Sequence, residues 1–317
     1  MSTAKRWRDH AVLDQWAGYV MPLTTPYLPD GSVDYDGLSK NVERAIAIPG
    51  SAGVYAGSAY QEFWTLSVAE RKRILEVVVE TIDSRAPVIA GVSAMDLNTA
   101  RELSEHAEQQ GVTMISIWPP LYGPRTERSV IEFLETVISP LKSLVCLYST
   151  TLSELGFYLN PRMLAELSHL DQVVAVKEGS FNLTTYLCLL DELGERMAIS
   201  NSLEETWMVG KLLMPERTPD FLLASRAMYM PIGPEFFTAV AEKDFAGVLQ
   251  YLSQQWALVR AIQSPSFAKG GHPLSVVKRA GELMGLAGGP VRAPLPRHSA
   301  EEEKAMIELL KQASMLD

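Results

Sequence analysis

What most constrains this chain is a series of short, unbroken apolar runs, each separated from the next by a stretch with helical periodicity. Eight of them, at 19–23, 53–56, 88–92, 114–117, 144–148, 173–177, 197–200 and 221–224, read as strands. Their apolar character is continuous rather than alternating, which predicts strands buried on both faces. Between them, residues 35–47, 68–83, 98–110, 130–139, 160–167 and 184–193 carry helical patterns. Ser67 stands three residues before Glu70 in a capping-box arrangement, and Asn160 precedes Pro161 at a first helical position.

Strand followed by helix, repeated eight times, predicts an α/β fold of the (β/α)8 or TIM-barrel type. An open doubly wound sheet shares the pattern until closure is known, but no GxGxxG follows a strand and no GxxxxGK[ST] occurs. Strand signals stop near residue 235, and 236–258, 274–286 and 300–316 read as three further helices. The expected organisation is a barrel over 1–235, with a short N-terminal extension, and a C-terminal helical region over 236–317. A length of 317 residues suits one barrel with an appendage.

Twenty-eight Lys+Arg against 38 Asp+Glu give a formal charge of −10, which disfavours nucleic acid and anionic membrane surfaces as partners. Cys146 and Cys188 lie inside apolar runs, with no disulfide or zinc spacing. The five histidines are never at metal-ligand spacing, so no metal and no cofactor is expected. Residues 1–15 lack the apolar stretch of a signal peptide, and no later run reaches membrane-spanning length. The expectation is a cytoplasmic protein.

In a barrel, polar residues that end apolar strands face the rim where active sites are built. Val173-Val174-Ala175-Val176 leads straight into Lys177. A desolvated ammonium has a lowered pKa, which frees the neutral amine as a carbonyl nucleophile. The other reading of that position is a solvated lysine paired with Glu178 or another carboxylate. Tyr148 ends the preceding strand, where it either shuttles protons beside Lys177 or simply packs at the rim. After the second strand, Gly57-Ser58-Ala59 offers a hydroxyl and small residues that let backbone amides face a carboxylate; an unliganded tight loop is the alternative.

These residues, in this order, resemble the dihydrodipicolinate synthase / N-acetylneuraminate lyase family. The resemblance runs through Thr25-Pro26-Tyr27, Asp30-Gly31-Ser32-Val33-Asp34, Leu66-Ser67, Glu70-Arg71, Pro87 to Val92, Pro119-Pro120-Leu121-Tyr122, Leu147-Tyr148, Val176-Lys177-Glu178 and Gly289 to Leu295. It implies a (β/α)8 barrel with a C-terminal helical region, usually a homotetramer, with a dimer as the other assembly considered. It also implies a small-molecule 2-keto acid substrate held as a Schiff base. Lys177 matches the nucleophile, Tyr148 the proton-shuttling tyrosine, and Tyr122 the tyrosine that in the synthases reaches a neighbouring subunit's site.

The chain also departs from the family pattern. The GTTGE or GSTGE loop here reads Gly57-Ser58-Ala59-Tyr60-Gln61-Glu62, with one extra residue and an Ala in place of a second hydroxyl. Ser149-Thr150-Thr151 replaces Asn-x-Pro, and the segment to Gly156 has no arginine for a second substrate's carboxylate. Arg226, after the eighth strand, is the nearby cation that could replace it. The expected activity is a class I aldolase or hydro-lyase. The alternatives are dihydrodipicolinate synthase itself or a lapsed barrel that only binds a keto or sugar acid.

Overall fold

The computed structural model describes residues 6–14, 16–151, 156–223, 233–260, 273–312 and 316. Eight strands run parallel: β1 (Gly18–Pro22), β2 (Ser51–Ala56), β3 (Val88–Gly91), β4 (Met114–Ile117), β5 (Leu144–Thr150), β6 (Val173–Gly179), β7 (Ala198–Asn201) and β8 (Phe221–Leu222). Their order, β7-β6-β5-β4-β3-β2-β1-β8, leaves β7 and β8 at the two ends of the sheet. One side chain bridges them: the Ser200 hydroxyl accepts from Leu223 N–H at 2.9 Å and lies 3.3 Å from Phe221 C=O, to which it donates. The sheet is thus a nearly closed barrel.

Side chains alternate across each strand even though both faces are apolar. Val20, Tyr55, Ile89, Met114, Cys146 and Phe221 fill the interior, while Val54, Ile115, Val145, Leu147 and Ile199 pack outward under the helices. The bottom is plugged by the N-terminal segment, whose mixed polarity conceals this role. Trp7, Leu13 and Trp16 join the interior cluster, and Trp7 Nε1 donates to Gly194 C=O at 2.9 Å.

Around the barrel lie α2 (Tyr35–Ala47), α3 (Val68–Ile82), α4 (Leu97–Gln109), α5 (Glu127–Ile138), α6 (Pro161–Leu167), α7 (Leu183–Leu193), α8 (Glu204–Leu213) and α9 (Pro234–Glu242), after a single turn, α1 (Ala11–Asp14). The starts at Ser67 and Asn160 have the expected cap bonds, Ser67 accepting from Glu70 N–H and Asn160 from Met163 N–H. α5 begins three residues earlier than its apolar pattern, because Thr126 caps it through Ser129. α8 carries no start signal: Leu203 stands at its N-cap and makes no side-chain cap bond.

The single helix expected over 236–258 is two, α9 and α10 (Phe245–Leu258). Lys243 takes the left-handed conformation between them, and Asp244 caps the second through Gly247 N–H. Helices Leu274–Leu283 and Ala300–Gln312 follow, with their own small apolar cluster. No helix among the described residues is long and apolar enough to cross a membrane.

Candidate active site

Lys177 lies on β6 in register with Tyr148 of β5 and Ser200 of β7, and all three point into the C-terminal end of the barrel. Its side chain is buried, with 6% of the residue exposed. Nζ sits 5.3 Å from the Tyr148 ring centroid and 5.6 Å from that of Tyr55. Burial lowers its pKa to about 8, outweighing the neighbouring Cys146 thiol, which acts in the opposite direction. Cys146 is itself pushed up to about 12 by burial.

The carboxylate partner considered for Lys177 is turned away. Glu178 is next along an extended strand and so faces the opposite side of the sheet, where it accepts from Ser180 N–H and Asn201 Nδ2, each at 2.7 Å. Burial raises its pKa. Lys177 is therefore a buried amine beside two aromatic faces, not a solvated lysine in an ion pair.

Tyr148 stacks flat on Trp118, with ring centroids 4.2 Å apart and planes 12° apart. Burial pushes its phenol well above the ordinary range, against a hydrogen bond with the Thr150 side chain that pulls the other way. Thr150 lies two residues further on the same strand face and donates to Gly179 C=O at 3.0 Å.

The loop after β2 is built tightly. Gly57 has φ +75°, and a Cβ there would stand 2.5 Å from Gly91 C=O, so only glycine fits. Gly57 N–H donates to the Gln61 side chain. Ser58 is 3% exposed and its hydroxyl has no hydrogen-bond partner among the described residues. Ala59 packs with Phe63, Trp118 and Tyr148 in one apolar cluster at the rim. The extra residue, Tyr60, packs against the C-terminal helices.

Those helices hold the loop through a buried ion pair. Lys278 Nζ lies 3.1 Å from Glu62 Oε1, with both side chains out of solvent, and also donates to Pro290 C=O at 2.6 Å. Arg292 N–H donates to the second Glu62 oxygen at 2.9 Å. The Arg292 side chain joins Glu70 and Gly31 C=O. Tyr27 lies against both cations, 4.2 Å from Lys278 Nζ and 4.5 Å from Arg292 Cζ. Residues scattered from Tyr27 to Arg292 thus form one frame around Glu62, at the end of the loop that carries Ser58.

One expected site residue is not brought into this cluster. Tyr122 stands out from the β4 loop with 78% of its surface exposed. Arg226 lies outside the described residues, as does 152–155. Among the described residues no three His, Cys, Asp or Glu side chains are grouped to hold a metal ion.

The Dihydrodipicolinate synthetase family matches residues 15–313 of this chain. The chain is a member of that family. A curated relative, the 4-hydroxy-tetrahydrodipicolinate synthase of Methanothrix thermoacetophila, is 28% identical over 299 residues, covering 94% of this chain and 97% of its own. Among solved structures, Proteus mirabilis N-acetylneuraminate lyase superposes with a TM-score of 0.81 at 21% identity, over 95% of this chain and 99% of that one. YagE, a prophage protein from E. coli K12 solved in complex with pyruvate, reaches 0.83 at 19% identity, over 95% and 99%. At those identities the structures establish a shared fold. Membership of the dihydrodipicolinate synthetase family makes the chain a lyase-type enzyme.

Sequence reasoning missed Trp118, Tyr55 and the Glu62–Lys278 pair. Trp118 was within its reach, because it directly follows the apolar strand 114–117, just as Lys177 ends 173–177. Tyr55 looked like one more apolar strand residue. The pair joins positions 216 residues apart and has no local signature.

Proposed function

We propose that this member of the dihydrodipicolinate synthetase family is a class I lyase that holds pyruvate or another 2-keto acid as a Schiff base on Lys177. The observation that carries the reading is the Lys177 amine: buried, set between two phenol rings, turned away from Glu178 and with a pKa lowered to about 8. The neutral amine adds to the C2 carbonyl, and the carbinolamine loses water to leave an iminium. That iminium receives the electron pair when the C3–C4 bond breaks, or when a C3 proton leaves and the C4 substituent departs as water. Tyr148 relays protons to and from the carbinolamine and substrate oxygens. Ser58, whose hydroxyl has no partner among the described residues, donates it to the keto acid's carboxylate.

Incubation with pyruvate and borohydride, then peptide mapping, tests this directly. A reduced adduct on Lys177 is expected. An adduct on another lysine, or none with pyruvate and several other 2-keto acids at saturation, overturns it.

The second substrate is uncharged or apolar where it meets the rim. Residues 149–156 contain Glu154 and no arginine, and the rim beside Tyr148 is packed from the apolar Ala59, Phe63, Trp118 and Leu121. Aspartate semialdehyde should therefore be a poor substrate. Turnover of about 1 s⁻¹ or more, abolished by Arg226→Ala, would show that Arg226 supplies the missing cation and that this is a synthase proper. The exposure of Tyr122 fits a homotetramer in which it reaches a neighbouring subunit's site.

A further inference from the structure

We infer that Trp118 is a positioning residue for proton transfer, holding the Tyr148 phenol in place through a layered stack anchored outside the barrel and a hydrogen-bonded joint inside it. The inference rests on the Schiff-base reading above.

The stack has four layers. Arg71 of α3 lies with its guanidinium 5.1 Å from the Phe63 ring centroid. Phe63 meets Trp118 edge to face, at 5.5 Å and 78°. Trp118 lies flat on Tyr148. Arg71 is fixed in turn by donating to Ser93 C=O at 2.8 Å and Gly91 C=O at 3.1 Å, at the end of β3. Each contact draws on a different element, so Tyr148 is braced from α3, the β2 loop and the β4 loop together.

The joint uses hydroxyls inside the barrel. The Trp118 indole N–H donates to Tyr55 Oη at 3.4 Å, and Tyr55 donates to Ser116 Oγ at 2.8 Å. Trp118 backbone N–H donates to Ser93 Oγ at 3.0 Å. With its backbone held at one end and its indole at the other, Trp118, 3% exposed, has one ring plane available. A flat stacking partner limits how far the Tyr148 ring can rotate or tilt, whereas aliphatic packing would leave it freer. Tyr148 relays protons at atoms bound to Lys177, and a misplacement of about 1 Å can cost on the order of 10²-fold in rate.

The test separates imine formation from proton transfer without knowledge of the second substrate. Lys177 adds to pyruvate and expels water; the iminium then passes a C3 proton to the Tyr148 relay and becomes an enamine, which takes up deuterium from D2O by the same route. Borohydride trapping after equilibration reads how much iminium the first step leaves, whatever the rate of the proton relay, and proton NMR of the pyruvate methyl reads the rate of the second. Trp118→Leu should lower exchange by roughly 10–100-fold, with pyruvate half-saturation and the Lys177 adduct within about threefold of wild type. Trp118→Phe, which keeps a stacking ring, should restore most of the exchange. Tyr55→Phe, which removes only the joint's hydroxyl, should fall between wild type and Trp118→Leu.

Exchange in Trp118→Leu within about twofold of wild type overturns the inference. So does an equal loss of exchange and trapping, or Trp118→Phe being no better than Trp118→Leu, because a merely structural role would give those results. Absence of a wild-type adduct would overturn the Schiff-base reading and this inference with it.

Discussion

A Lys177 nucleophile would set catalysis and stability in opposition, and pH would expose both. Its ordinary pKa of 10.5 falls to about 8 in the folded protein because the ammonium has lost water and gained no carboxylate. At pH 7 a group with pKa 8 is about 10% neutral, against about 0.03% for an ordinary lysine, a gain of roughly 300-fold in nucleophile. Imine formation, followed by cyanoborohydride trapping and mass spectrometry from about pH 6 to 11, should climb tenfold per unit at the acid end and level off above a midpoint near 8. The same shift costs stability. Because the folded pKa lies below the unfolded one, the unfolded chain binds more protons between about 8 and 10.5, and this group makes the fold more stable as pH rises through that window. Below it the full penalty applies, about 3 kcal/mol. Lys177→Met should therefore abolish trapping yet raise the melting temperature at pH 7 by roughly 5 °C, and by less at pH 10. A trapping midpoint near 10.5, or a Lys177→Met protein no more stable at pH 7 than wild type, would refute the reasoning.

Tyr148→Phe keeps the ring on Trp118 and removes the hydroxyl, so turnover should drop by roughly 10²–10⁴-fold with trapping largely preserved; turnover within about twofold of wild type returns Tyr148 to packing alone. Ser58→Ala deletes a hydroxyl with no partner among the described residues, so the melting temperature should barely change while half-saturation by pyruvate rises by about tenfold; unchanged half-saturation would remove Ser58 from the proposed carboxylate site. Lys278→Met leaves Glu62 buried without its cation and should cost about 3–5 kcal/mol in urea unfolding, most of it recovered by adding Glu62→Gln. A single variant as stable as wild type would mean that the pair does not anchor the loop.

Much of the barrel is legible in the chain because its signals are local. The run 144–148 is apolar throughout, and β5 is indeed buried on both faces, extending two residues further to Thr150. Ser67 and Asn160 mark helix starts because a cap acts within three residues of itself. α8 escapes the same reasoning, since Leu203 offers no capping group. Within the site, Lys177 and Tyr148 are legible because each interrupts an apolar run at the point where a strand reaches the rim.

Side-chain patterns a few residues long set the order of strands and helices, the family motifs, and Tyr148 and Lys177 as the residues that close the apolar runs of β5 and β6. Tertiary structure alone decided which of those residues meet. Register set Lys177 beside Tyr148 and sent Glu178 to the other face. Closure put the Ser200 hydroxyl between β7 and β8, the N-terminal Trp7 and Trp16 became the floor of the barrel, and Lys278 reached back to Glu62. The reason is physical: burial and ion pairing depend on which surfaces the closed barrel brings together, and no window of sequence contains both partners of a contact 216 residues apart.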